Sequence, residues 1–174
     1  NHRQAVKPPP RIHYPLSELG CIYSHEVCAF RGAESVGYPF VEKPFYISVL
    51  SAAAYYSPQC HGTTMTEFVA QGTRRKITNF MRAAKLHEAQ YLVLSAFGCE
   101  AFCNPPKQMA TIFKEVLQHE ELEGHFREIG FTIIDDHNSP CGGNFKVFHE
   151  ILATKPSAYP AAQAPLTQRM GDIP

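Results

Sequence analysis

The chain is 174 residues long, 44% hydrophobic and 18% charged, with as many Lys and Arg as Asp and Glu. That length holds one domain with a core and is too short for two ordinary ones. The charge balance gives no global basic field, and no apolar run approaches the roughly 18 residues of a transmembrane helix, so neither nucleic acid nor a membrane is expected as a direct partner. No signal-peptide pattern opens the chain, and cytoplasm or nucleus is the expected location. It begins at Asn1 rather than Met, and the expectation is that something upstream was removed or not included. The cysteines at 21, 28, 60, 99, 103 and 141 form no C-x2-C pair. They read as intracellular free thiols rather than a zinc site, and no metal or cofactor is expected.

Residues 1–11, with Pro8-Pro9-Pro10, form neither helix nor central strand and read as an extended arm. Short strands are predicted around Ile22-Tyr23 and over Val27–Phe30, with loop over 32–44. Phe45–Leu50 is aromatic and β-branched, a pattern that predicts a buried strand. Ser51–Ala54 are small enough to let a backbone or ligand approach, and 55–64 is polar loop. From about Thr66 to Gln90 the period becomes helical, with Ile77, Phe80, Met81 and Ala84 on one face. Arg74-Arg75-Lys76 on that helix is a candidate phosphate patch, and the plainer reading is a solvated face.

Tyr91–Leu94 is an unbroken apolar run, predicting a strand buried on both faces. A Gly-containing turn follows at 97–99, and Asn104-Pro105 read as the N-cap and first residue of a helix. Strand, loop and helix N-terminus in succession direct free N–H groups at one spot, which suits a phosphate or another anion. Lys107–Glu121 predicts an amphipathic helix, with Met109, Ile112, Phe113, Val116 and Leu117 in register. A strand over 129–134, a Gly-Gly turn at 142–143 and a helix over 145–152 follow, with Phe145, Phe148 and Leu152 turned inward. Residues 155–174, rich in Pro, Ala and Gln, read as a disordered tail. Strands alternating with helices predict an α/β fold with a mostly parallel sheet and right-handed crossovers. The loops 51–64, 97–104 and 135–144 then all leave the carboxyl ends of strands, where such sheets bind ligands.

Three segments carry a resemblance. YLVLSAFGCEAFCNPP (91–106), CIYSHEVCAFRG with the strand that ends in SAAA (21–54), and IGFTIIDDHNSPCGGNFKVFHE (129–150) resemble, in order and spacing, the microbial-type poly(ADP-ribose) glycohydrolase family, a branch of the macrodomains. The resemblance implies a three-layer α/β/α macrodomain-like fold over 12–154, N-terminally truncated, whose crevice takes ADP-ribose or an ADP-ribosylated protein. It implies a diphosphate loop of Gly98, Cys99, Glu100, Ala101 and Phe102, with Phe102 near the ribose and Asp135, Asn138 and Phe145 toward the adenosine. Core packing is the competing role for Phe102 and Phe145. Asn104 is expected as the helix cap. The chain departs from the family in two places. Nothing in residues 1–30 matches the catalytic Gly-Gly-Gly loop and Gln-Glu-Glu motif, so catalytic residues are unassigned and enzymatic activity is an open question; Glu18 and Glu26 have no glycine-rich neighbour loop. Glu100 stands where the family has glycine, setting a negative charge beside the phosphate site and straining the backbone if that position needs positive φ.

A separate reading makes Cys99 a low-pKa nucleophile served by His61 or His137. Three functional classes stand: part of a glycohydrolase without its catalytic segment, a non-catalytic ADP-ribose-binding module, or a domain that serves only protein interaction.

Overall fold

The computed structural model describes residues 15–135, 139 and 143–153. The arm expected over 1–11, the tail expected over 155–174, and His137, Asn138 and Gly142 lie outside the described residues. In chain order the elements are β1 (Cys21–Arg31), a 3-10 turn (Glu34–Val36), β2 (Phe40–Ala52), β3 (Cys60–His61), β4 (Thr64–Met65), α1 (Glu67–Leu86), β5 (Tyr91–Leu94), α2 (Pro106–Leu117), β6 (Glu128–Phe131) and α3 (Asn144–Leu152). Among the described residues no helix is long and apolar enough to cross a membrane.

The architecture is α/β, but its parallel part is smaller than the residues predict. β5 and β6 pair in parallel around α2, with Leu94 opposite Phe131, whereas β1–β2 and β3–β4 are antiparallel. The run 45–50 is a strand, as expected, but not a buried one. It belongs to the β1–β2 ribbon, where Phe45, Tyr46 and Ile47 are exposed. An aromatic and β-branched run fits either pairing, and its composition does not name its partner. The ribbon also absorbs part of the expected loop, because β2 starts at Phe40. Pro44 is tolerated within it because the register breaks between Ala29 and Arg31, leaving that stretch outside the regular ladder.

The core lies between the helices and one face of β5–β6. Leu92, Leu94, Ile129 and Phe131 pack against it. Tyr91 and Val93 alternate to the other face, where they are 58% and 75% exposed among the described residues, so β5 is not buried on both faces. α1 buries the expected Ile77, Phe80, Met81 and Ala84, and α2 buries Met109, Ile112, Phe113 and Val116. Phe113 is the hub. Its ring lies 5.2 Å from Phe131, 6.2 Å from Phe80 and 6.3 Å from Phe148, distances at which tilted and edge-to-face contacts add to burial.

Two expectations about individual side chains are corrected. Lys76 is buried rather than solvated; its Nζ donates to the Glu18 carbonyl and sits 4.5 Å over the Tyr55 ring. Its aliphatic stem follows the apolar face of α1 while the ammonium finds a carbonyl and a π-face. Phe148 is buried as expected, but Phe145, expected inward with it, is exposed in the first turn of α3.

Phe113→Ala is expected to cost about 3–5 kcal/mol of unfolding free energy, whereas Tyr46→Ala in the exposed ribbon costs less than about 1 kcal/mol. Urea unfolding of both variants checks this; equal losses would place the core elsewhere.

Candidate functional site

The loop between β5 and α2 is fixed by its own backbone and by one side chain. Cys99 N–H donates to Ala96 O, Cys103 N–H to Glu100 O, and Asn104 N–H to Gly98 O. From the neighbouring loop after β2, Ser57 N–H donates to Phe102 O at 2.9 Å. Asn104 is buried, and its Nδ2 donates to Tyr55 O at 2.7 Å and Gly98 O at 2.9 Å, with Phe102 O a longer third partner at 3.3 Å. A carboxamide has two N–H bonds, so the third contact is shared. Flipping the amide would set its oxygen against these carbonyls. Asn104 is therefore not the helix cap. Pro105 takes that position and Pro106 opens the helix, which leaves the Asn104 side chain free to tie the β2 loop to the β5 loop.

These contacts use up acceptors and leave donors. The carbonyls of Ala96, Phe97, Gly98, Glu100, Ala101 and Phe102 each receive a contact, those of Phe97 and Ala101 from the Cys99 and Cys103 thiols. The N–H groups of Gly98, Glu100, Ala101 and Phe102 have no acceptor among the described residues. A short loop with most of its oxygens engaged and four N–H groups without an acceptor among the described residues presents a positively polarised backbone suited to an anion. Pro106 has no N–H to offer, so these donors belong to the loop rather than to the first turn of α2.

Gly98 has φ +71, and a Cβ there would collide with Ala54 Cβ and lie 2.7 Å from Asn104 Nδ2. The small residues after β2 are thus needed for close packing of the two loops. Glu100 is half-buried and is absent from the residues with positive φ, so the strain expected of a non-glycine residue does not arise. Its charge remains in the loop. Phe102 is 39% exposed and Phe145 is 53% exposed, which removes core packing as the role of either ring.

The adenosine-side candidates separate. Asp135 Oδ1 accepts from the N–H groups of Asn144 and Phe145 at 2.6 and 3.2 Å, so its carboxylate serves the N-terminus of α3. Asn138 lies outside the described residues. Phe145 stacks on His149 beside an apolar cavity of about 180 Å³, also lined by Phe131, Ile133, Phe148 and Leu152. A larger groove between α1 and the end of α2 contains Arg74 and Arg82, but Glu115 and Glu121 pair with them at 2.7 Å each.

Cys99 is 3% exposed, and burial, followed by the charge of Glu100, pushes its thiol up to about 12. It is a neutral packed thiol at physiological pH, not a low-pKa nucleophile. Tyr55 went unnoticed in the sequence. Its hydroxyl donates to Glu18 Oε1, and burial with that hydrogen bond raises it to about 12. Gly72, in the middle of α1, is the one signal available for it, since a Cβ there would strike the Tyr55 ring. Tyr56 was also missed; its ring meets Phe102 edge-on at 5.6 Å.

No protein-family model matches the chain, and no curated protein does. Solved structures do. A poly(ADP-ribose) glycohydrolase from Deinococcus radiodurans in complex with ADP-ribose is 27% identical with a TM-score of 0.65, covering 76% of this chain and 52% of its own. The apo form of that protein is 27% identical with a TM-score of 0.63, covering 79% of this chain and 56% of its own. A poly(ADP-ribose) glycohydrolase from Thermomonospora curvata bound to the inhibitor ADP-HPD is 26% identical with a TM-score of 0.65, covering 75% and 48% respectively. The chain spans about half the length of these structures and shares their fold.

In native chain at pH 8, iodoacetamide is expected to label the exposed Cys103 and spare Cys99 until the chain is unfolded, as read by peptide mass spectrometry. Rapid native labelling of Cys99 would restore the nucleophile reading.

Proposed function

We propose that this chain, which is akin to the microbial poly(ADP-ribose) glycohydrolases and shares their macrodomain-like fold, binds ADP-ribose with its diphosphate on the loop 98–102. The observation that carries the reading is the set of N–H groups at Gly98, Glu100, Ala101 and Phe102 that have no acceptor among the described residues, in a loop where the carbonyls of these same four residues are engaged. Amides fixed in this way bind phosphate without ordering long side chains. The ADP-ribose and ADP-HPD in the structures compared above support a ligand of this class.

Residues 12–154 are the binding domain in this reading, and Cys99 contributes its backbone rather than its sulfur. Phe145, exposed beside the apolar cavity, is the adenosine-side candidate that the geometry favours; Asp135 acts there through α3. The partner is ADP-ribose, free or carried on a modified protein, encountered in the cytoplasm or nucleus. Hydrolysis needs a carboxylic acid placed against the leaving oxygen, and we assign no residue of this chain to that task. The chain alone is expected to bind without hydrolysing.

The protein-interaction reading is favoured by one observation, the Glu100 carboxylate within the loop. Its charge opposes a diphosphate, though water and its partial exposure weaken that opposition.

Calorimetric titration of the chain with ADP-ribose, with AMP as control, is expected to give micromolar affinity for ADP-ribose. Phe102→Ala and Gly98→Val should each weaken it about tenfold or more, and Glu100→Gln should strengthen it about threefold. Unchanged affinity in both the Phe102 and Gly98 variants would mean that the diphosphate lies elsewhere. No binding by a folded sample would leave the interaction reading.

A further inference from the structure

Two exposed aromatic rings stand beside the amides that have no acceptor among the described residues, one on each of the loops that meet there. Tyr56 is 73% exposed and Phe102 39%, and their rings meet at 5.6 Å with an interplanar angle of 81°. The backbone around them is unusual in the same way on both sides. Ser57 follows Tyr56 with φ +44, and Cys103 follows Phe102 with φ +56. Residues with a Cβ seldom adopt this left-handed conformation, and neither position is glycine. The conformations are held by Ser57 N–H donating to Phe102 O and by the Asn104 amide on the carbonyls of Tyr55 and Phe102. On the backbone so restrained, both rings stand exposed. A T-shaped pair leaves ring face free for a third planar or puckered ring.

We infer that Tyr56 is a binding residue in its own right, completing with Phe102 an aromatic corner that packs against the ribose esterified to the diphosphate. The inference rests on the proposed diphosphate site and adds to it a selective contact: amides read the phosphates, and the corner reads whether a ribose is attached to them. A bare diphosphate would satisfy the amides and miss the corner.

The test titrates the full chain and its Tyr56→Ala, Tyr56→Leu and Tyr56→Phe variants with ADP-ribose and, separately, with inorganic pyrophosphate. The Ala and Leu variants are expected to bind ADP-ribose about tenfold more weakly, while pyrophosphate stays within about twofold of wild type and Tyr56→Phe retains both affinities. Leu preserves bulk at this exposed position and keeps the test valid if the Ala variant is poorly behaved. Unchanged ADP-ribose binding in the Ala and Leu variants would overturn the corner and leave the diphosphate site standing. Equal losses for both ligands would overturn it too, since Tyr56 would then only shape the loop. A wild-type chain that binds pyrophosphate but not ADP-ribose would remove the proposed function, and the corner with it.

Discussion

The side-chain amide of Asn104 holds together two loops that are 49 positions apart in the chain, donating to Tyr55 O on one and to Gly98 O and Phe102 O on the other. Its own Oδ1 is buried without a partner among the described residues, a defect that costs roughly 1–3 kcal/mol. That cost is tolerable because the same amide satisfies carbonyls that would otherwise be stranded in a tight turn. Gly98 is a consequence of this fastening, since only a residue without Cβ fits between Ala54 and the Asn104 amide at φ +71. The donor-rich surface is another. Once Asn104, Ser57, Cys103 and its thiol have engaged the carbonyls of Gly98, Glu100, Ala101 and Phe102, the hydrogen-bonding capacity left at 98–102 is mostly N–H, and its complement is an anion.

Anchoring extends past the loop. Tyr55, whose carbonyl accepts from Asn104, is held at its other end by Glu18 and lies under the buried Lys76 ammonium. The chain segment before β1, the middle of α1 and the candidate site are thereby joined through one tyrosine. Beyond the neighbouring strand end, Asp135 fixes the start of α3, and α3 presents Phe145 beside an apolar cavity. β5 and β6 are paired in parallel with Leu94 opposite Phe131, so the loop and this cavity lie at the same end of the small sheet. That is the end at which α/β folds bind ligands.

What the sequence makes legible is whatever depends on local period and turn chemistry. β5, the buried faces of α1 and α2, the α2–β6 crossover and the glycine of the loop all follow from spacing that neighbouring residues enforce. The misreadings share a different cause. Asn before proline is a common helix start, but a second proline moves the start along, and the Asn104 side chain turns inward to partners that only the fold supplies. Phe45–Leu50 has the composition of a core strand, yet its partner is β1 in an exposed ribbon, a fact set by pairing rather than by composition. Lys76 looked solvated because charge masks a long apolar stem. Tyr56 could not be read at all, since its contact with Phe102 exists only once two loops meet. The segment resemblance, by contrast, survives comparison with solved glycohydrolases at about half their length.

In the function proposed, the ligand is held by backbone amides of one loop that have no acceptor among the described residues. Amide-resolved NMR titration of the labelled chain with ADP-ribose tests it most directly. The largest downfield shifts are expected at the N–H groups of Gly98, Glu100, Ala101 and Phe102, with those of Cys99 and Cys103, already bonded within the loop, moving less. Saturable binding that leaves these amides unmoved, or shifts confined to the groove between α1 and α2, would contradict it.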